Sequence, residues 1–212
     1  MEIDKTKQLI SDSAARLFFQ QGFSKTTVDE IAESLGISKK TLYECFPGKD
    51  AIIEYTIDRF TQATGEVIDK ILFDRELDTF RKLSALFKIV GERLSAINPI
   101  LMKDLLSKYP HIWEKIDNFR QQKVLANFRI IFEQGIKEGV FRQDIEVDLL
   151  LQIYVDMVRS AINPQRLSRS AYSPRQIFEA MMKIVFQGIL TEKGRGEAKI
   201  EFSQTFSESH NE

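Results

Sequence analysis

The run Lys39-Lys40-Thr41-Leu42-Tyr43 places two cations and two hydroxyls around one apolar residue. On a helix whose Leu42 turns inward, the other four side chains face out. Lysines there can hold phosphates or meet the O6/N7 edge of guanine, a threonine can approach a base edge or a thymine methyl group, and a tyrosine hydroxyl can meet a phosphate. The rest of the chain offers little other chemistry. One cysteine, Cys45, and two histidines, His111 and His210, leave almost nothing for a His/Cys metal site. No GxGxxG, Walker A, GxSxG or HExxH pattern occurs. An enzyme would have to work with scattered carboxylates, lysines and tyrosines, so the chain reads as a non-enzyme without metal or cofactor.

The elements that must position this run are short helices. A helix is expected over Lys5–Gln21, where Leu9, Ala14, Leu17 and Phe18 fall at helical spacing and Gly22 stands at the C-cap. A second is expected over Val28–Leu35. Thr27 and Glu30 have the spacing of a capping box at its start, and Gly36 supplies a residue free to take positive φ at its end. Ser38 caps a third helix, Lys39–Cys45, which Phe46-Pro47-Gly48 breaks. Two short helices joined by a tight glycine turn form the helix-turn-helix layout, whose second helix enters the major groove of DNA. Ile31, Leu35, Ile37 and Leu42 would form its small core, with Ala32 at the helix crossing.

These residues resemble a known family. Ala14-Ala15-x-Leu17-Phe18, Gly22-Phe23, Thr26-Thr27-Val28-x-x-Ile31-Ala32, Leu35-Gly36-Ile37-Ser38-x-x-Thr41-Leu42-Tyr43 and Phe46-Pro47-Gly48-Lys49 are similar to the DNA-binding domain of TetR-type (tetracycline-repressor-like) transcriptional regulators. The likeness by motif covers about residues 5–50. Beyond them the chain resembles the family in length and helical layout. The resemblance implies a homodimer, a three-helix N-terminal DNA-binding domain, a linking fourth helix and a C-terminal dimerising domain with a ligand pocket. It implies DNA contacts from Thr27, Ser38, Lys39, Lys40, Thr41, Tyr43 and Lys49. Two positions depart from the pattern. Cys45 stands where the family often carries an aromatic residue or histidine, so the phosphate contact made there does not carry over. Lys40 stands where a small residue is common and adds a further base or phosphate contact.

The remaining chain reads as helix almost throughout, giving an all-α protein. Helices are expected from about Lys49 to Leu72, from after the charged break Asp74-Arg75-Glu76 to about Ile97, from Pro99 to Tyr109, over 111–138, over Val147–Ile162 and over Pro174–Leu190, with a polar loop from Asn163 to Ser173. The expected division is 1–48 for the DNA-binding domain, 49–191 for the ligand-binding and dimerising domain, and 192–212 for a polar mobile tail. Ligand sites in helical bundles open between helices and are largely apolar. Phe80, Phe87, Trp113, Phe119, Lys123, Asn127 and Tyr154 are the candidates for a pocket, and the aromatics among them fit plain core equally well. Gln134, Gln152, Asp156 and Arg159 are further polar groups in these helices. Three helical stretches, 124–132, 149–158 and 177–190, are apolar on more than one stripe, which calls for neighbours on more than one side; the last two helices are the ones expected to pair with their copies. Met157, Val158, Met181, Val185, Phe186 and Ile189 are the candidates for a seam between two copies.

Charge and composition set the outer limits. The 212 residues carry 30 basic and 31 acidic side chains, a formal net charge of −1, and 43% hydrophobic residues. The acidic N-terminus is unlike a signal peptide and no apolar run spans a membrane, so a soluble cytoplasmic protein is expected. Residues 1–50 hold seven bases and eight acids, so no domain is strongly basic. That argues against a DNA-packaging protein, whose affinity rests on phosphate contacts. The reading is a ligand-responsive transcriptional regulator, a repressor released from double-stranded operator DNA by a small-molecule inducer. The alternative is a helical small-molecule-binding protein or enzyme with a structural N-terminal domain.

Overall fold

The computed structural model describes residues 2–95, 99–161, 163–167 and 169–198. Along them run α1 (Glu2–Gln21), α2 (Val28–Leu35), α3 (Lys39–Cys45), α4 (Lys49–Phe73), α5 (Thr79–Ser95), α6 (Pro99–Ser107), α7 (Pro110–Lys137), α8 (Val147–Ala161), α9 (Pro164–Leu167) and α10 (Pro174–Ile189). The described residues are all-α, apart from one isolated antiparallel bridge between Phe141 and Leu190. The helix ends expected at Ile97 and Ile162 lie outside the described residues, as does His210.

The chain divides into two compact units: the described parts of Met1–Thr64 with Ala96–Ile116, and of Gly65–Ser95 with Asp117–Glu212. The first unit therefore extends past the division after residue 48 expected from the sequence, because residues 99–116 pack into it. Leu101, Met102, Leu105 and Ile112 are buried there with Ile10, Phe18, Phe23 and Ile52. Tyr109 meets Phe23 edge to face at 5.2 Å. The buried Asp104 carboxylate accepts the Ser24 backbone N–H at 2.7 Å and also the Ser24 hydroxyl. Gly22 makes this approach feasible. Its φ is +85°, and a Cβ there would sit 2.8 Å from both Asp104 Oδ2 and Ile100 Cγ2. Lys115 on α7 pairs with Glu54 (2.8 Å) and Asp58 (2.6 Å) on α4.

The second unit packs α10 against α5 and α8. An aromatic ladder runs through its core. Tyr154 stacks on Phe128 at 4.5 Å, Phe128 on Phe132 at 6.1 Å, and Phe132 on Phe141 at 5.3 Å. Polar groups of this unit are joined in a chain of hydrogen bonds, which offsets their desolvation. Lys82 Nζ donates to Gln134 Oε1 (2.8 Å), Gln134 Nε2 donates to Glu138 Oε1 (2.6 Å), and Glu138 Oε2 accepts the Thr79 N–H (3.1 Å).

Two segments expected to be irregular are helical. Within Asn163–Ser173, the Asn163 side chain accepts the N–H groups of Gln165 (2.9 Å) and Arg166 (3.3 Å), and Pro164 opens the one-turn α9. The expected polar tail also begins as helix, over residues 192–198. Thr191 caps it, accepting the Gly194 N–H at 3.0 Å while donating to the Gly139 carbonyl at 2.9 Å. Gly194 and Ala198 are buried. The rest of that tail, with Phe202 and Phe206, lies outside the described residues.

Candidate nucleic-acid interface

Local chemistry shapes the face formed by α2 and α3. Thr27 stays extended (φ −105°, ψ 157°) and its hydroxyl oxygen accepts the Glu30 N–H at 3.1 Å. Glu30 Oε2 accepts the Thr27 N–H in return at 2.7 Å, completing the capping box. The Thr27 N–H first, and then the Thr27 hydroxyl, which donates to Glu30 Oε2 at 3.0 Å, hold the Glu30 carboxyl below its ordinary pKa. Gly36 ends α2 in the left-handed region at φ +63°, and the Ile37 N–H donates to the Ala32 carbonyl at 3.1 Å. Ser38 then caps α3, accepting the Thr41 N–H at 3.0 Å. Each such cap stabilises its helix by about 1 kcal/mol. For helices of eight and seven residues, too short to persist alone, that is a large share. Ile31, Ala32 and Leu42 close the small core beneath.

That core fixes which side of α3 looks out. Lys39, Lys40 and Tyr43 are exposed; Tyr43 keeps 54% of its surface although it is aromatic. Ser38 and Thr27 are exposed as well, and the half-buried Thr41 shares a 2.9 Å hydrogen bond with the Ser38 hydroxyl. Lys39 is not free: its Nζ lies 2.6 Å from Asp29 Oδ2, and that partner raises its pKa. Lys49, in the first turn of α4, is half-buried with its Nζ 3.5 Å from the Ser24 carbonyl, and desolvation lowers its pKa. Cys45 is half-buried.

The residues expected to line a ligand pocket are scattered. Trp113 belongs to the first unit; the other six belong to the second. Phe80 is buried, and Phe87 meets Phe178 at 5.9 Å and Phe186 at 5.3 Å. Tyr154 is buried in the ladder with its hydroxyl 3.5 Å from Met182 Sδ, and burial raises its pKa. Phe119 and Lys123 both approach Gly65 of α4, and Lys123 Nζ pairs with Asp69 at 2.7 Å. Asn127 is half-buried. Gln134 belongs to the buried polar chain, Gln152 and Asp156 are exposed, and Arg159 reaches Asp117 at 3.6 Å. An open concavity of about 640 Å³ lies elsewhere in this unit, among Ser160, Asn163, Gln165, Arg166, Arg169 and Ser170, and none of the expected pocket residues lines it.

The residues expected at a seam between two copies differ in exposure. Val158, Met181, Phe186 and Ile189 are buried within the single chain, and Met157 and Val185 are half-buried. The large apolar side chains that the described parts of α8 and α10 leave exposed are Leu149 (56%), Ile153 (54%) and Ile184 (68%). Leu149 and Ile153 are four apart and share a helix face.

Residues 10–56 match the family described as bacterial regulatory proteins, tetR family. The match covers 47 of the 212 residues and makes this N-terminal region similar to that family's DNA-binding domain. As in that family's regulators, its DNA-binding helix-turn-helix is N-terminal. Its relatives extend the likeness over most of its length. It is 27% identical over 187 residues to the HTH-type transcriptional repressor KstR2 of Mycolicibacterium smegmatis, covering 85% of this chain and 89% of the relative. It is 22% identical over 178 residues to the HTH-type transcriptional regulator YvaF of Bacillus subtilis, covering 84% and 92%. Among solved structures, SmeT of Stenotrophomonas maltophilia in complex with triclosan shares the fold with a TM-score of 0.63 at 14% identity, over 89% of this chain and 93% of that one. No helix of the described residues is long and apolar enough to cross a membrane.

Proposed function

We propose that this chain is a TetR-family transcriptional repressor that works in the cytoplasm as a homodimer and leaves its operator when a small molecule binds the C-terminal unit. One observation carries the reading: α3 is closed onto Ile31, Ala32 and Leu42, which leaves Lys39, Lys40 and Tyr43 exposed along a helix of the width the major groove accepts. Lys40 and Lys39 meet phosphates or guanine edges, Tyr43 a phosphate, and Thr41 a base edge, with Thr27, Ser38 and Lys49 as backbone contacts. Two copies joined through the outer faces of α8 and α10, around Leu149, Ile153 and Ile184, present two such helices to successive major grooves about 34–36 Å apart.

Release by a ligand is supported by the repressor relatives and by the small molecule held by SmeT. A ligand acts to the extent that it binds the DNA-incompetent state more tightly than the competent one. The pocket is assigned to the C-terminal unit, with Phe119, Lys123 and Asn127 on α7 as its first candidates.

The test is footprinting of the purified protein on the DNA flanking its own gene, followed by anisotropy with the protected duplex. Lys40→Ala and Tyr43→Phe should each weaken binding by about 1–3 kcal/mol while leaving helicity unchanged. A protein with no protected sequence, or with α3 variants that bind as the wild type does, would overturn the assignment.

A further inference from the structure

Lys39 and Lys40 are adjacent in sequence and both exposed, but they are not equivalent. Lys39 Nζ is paired with Asp29 Oδ2 at 2.6 Å across the helix-turn-helix, whereas Lys40 makes no ion pair among the described residues. Both partners of the pair keep about 60% of their side-chain surface. An ion pair so exposed opens at small cost, and a competing anion can take the lysine. The other acid of the first turn of α2, Glu30, is committed to the capping box. Asp29 takes no part in that box, and its partner is a cation on the helix assigned to DNA.

We propose that Asp29 is an internal competitor for DNA phosphate: it occupies Lys39 in the free protein and thereby attenuates DNA binding. This rests on the assignment of α3 as the DNA-facing helix. A phosphate that reaches Lys39 must displace a carboxylate already in hydrogen-bond contact. The displaced Asp29 then stands near the phosphate as a like charge and gathers a counterion, which cancels part of the counterion release that drives binding. The effect matters in this chain because residues 1–50 carry seven bases against eight acids, so few phosphate contacts contribute and each weighs heavily.

The experiment uses the full-length protein and a mixed-sequence 30-base-pair duplex, titrated from 50 to 200 mM salt. Asp29→Asn should bind the duplex more tightly than the wild type, with the slope of log K against log salt steeper by up to about 0.9. The advantage should then be up to roughly three- to fourfold larger at 50 mM than at 200 mM. Glu33→Gln changes the net charge equally on the same helix without touching Lys39 and should have the smaller effect. In a Lys39→Ala background the Asp29→Asn gain should vanish. Unchanged or weaker binding by Asp29→Asn, an equal gain from Glu33→Gln, or a gain that survives Lys39→Ala would each overturn the proposal. If Lys40→Ala also fails to weaken duplex binding, the assignment of α3 itself has failed. If Lys40→Ala weakens binding and Asp29→Asn has no effect, only the role of Asp29 is lost.

Discussion

Helix α3 exposes Lys39, Lys40 and Tyr43, whereas α8 and α10 expose Leu149, Ile153 and Ile184. Both faces rest on a buried apolar layer: Ile31 and Leu42 under the first, Val158, Met181 and Phe186 under the second. They differ in what remains outside once that layer is closed. A polar, cationic remainder suits a charged, hydrated partner. An apolar remainder suits a partner that removes it from water, and a second copy of the same chain supplies a self-complementary one. The faces differ in construction too. The α2–α3 face is held by caps between residues three apart, while the α8–α10 face rests on contacts between helices distant in sequence.

Four perturbations sharpen or break this contrast. The largest effect belongs to the base of the second unit. Phe132→Ala empties a fully buried site between Phe128 and Phe141 and should lower stability by about 3–5 kcal/mol in denaturant unfolding. A loss under about 1 kcal/mol would mean that the ladder does not support the face above it. Next, Ile153→Glu combined with Ile184→Glu should weaken self-association about a hundredfold or more, because each copy would carry two carboxylates into the seam. Sedimentation equilibrium reads this directly. A dimer of unchanged affinity would break the assignment of the apolar face, and Lys40→Ala serves as the control that should leave the mass unchanged.

A smaller effect is expected at the DNA-facing side. Ser38→Ala removes the acceptor for the Thr41 N–H and should cost about 1 kcal/mol in thermal unfolding. It should also weaken DNA binding, since α3 is the helix proposed to face DNA. The smallest effect is on pH. The Thr27 N–H and hydroxyl hold the Glu30 carboxyl below its ordinary pKa. A group depressed in the folded state stabilises it above the unfolded pKa, and that contribution fades as pH falls through the folded value. Hydrogen exchange of the α2 amides should therefore accelerate on acidification below the ordinary glutamate range. In Glu30→Gln, which keeps an acceptor at the same place, this acceleration should be absent.

The candidate interface was legible because its determinants are local. Thr27 and Glu30 stand three apart, as do Ser38 and Thr41, and Gly36 sits where α2 must end, so pattern and geometry coincide. The one-turn α9 was legible in principle from Asn163-Pro164, a capping residue before a first-turn proline. It is too short for hydrophobic periodicity to register. Which stripe of α8 and α10 stays exposed was not legible. In Leu149-Leu150-Leu151-Gln152-Ile153-Tyr154 apolar residues lie on several sides, so periodicity does not say which stripe meets the chain's own core.

By itself the sequence determined the capped helices, the turn at Gly36, the outward set Lys39, Lys40 and Tyr43, and the absence of a strongly cationic domain. These depend on residues within four positions of one another or on composition alone. Tertiary structure alone decided that Asp104 grips Ser24 from eighty positions away, that Val158 and Met181 face inward while Ile153 and Ile184 face out, and that Asp29 reaches Lys39 across the turn. Each depends on where two separately formed helices come to rest. Packing of their apolar faces sets that, and no local propensity encodes it.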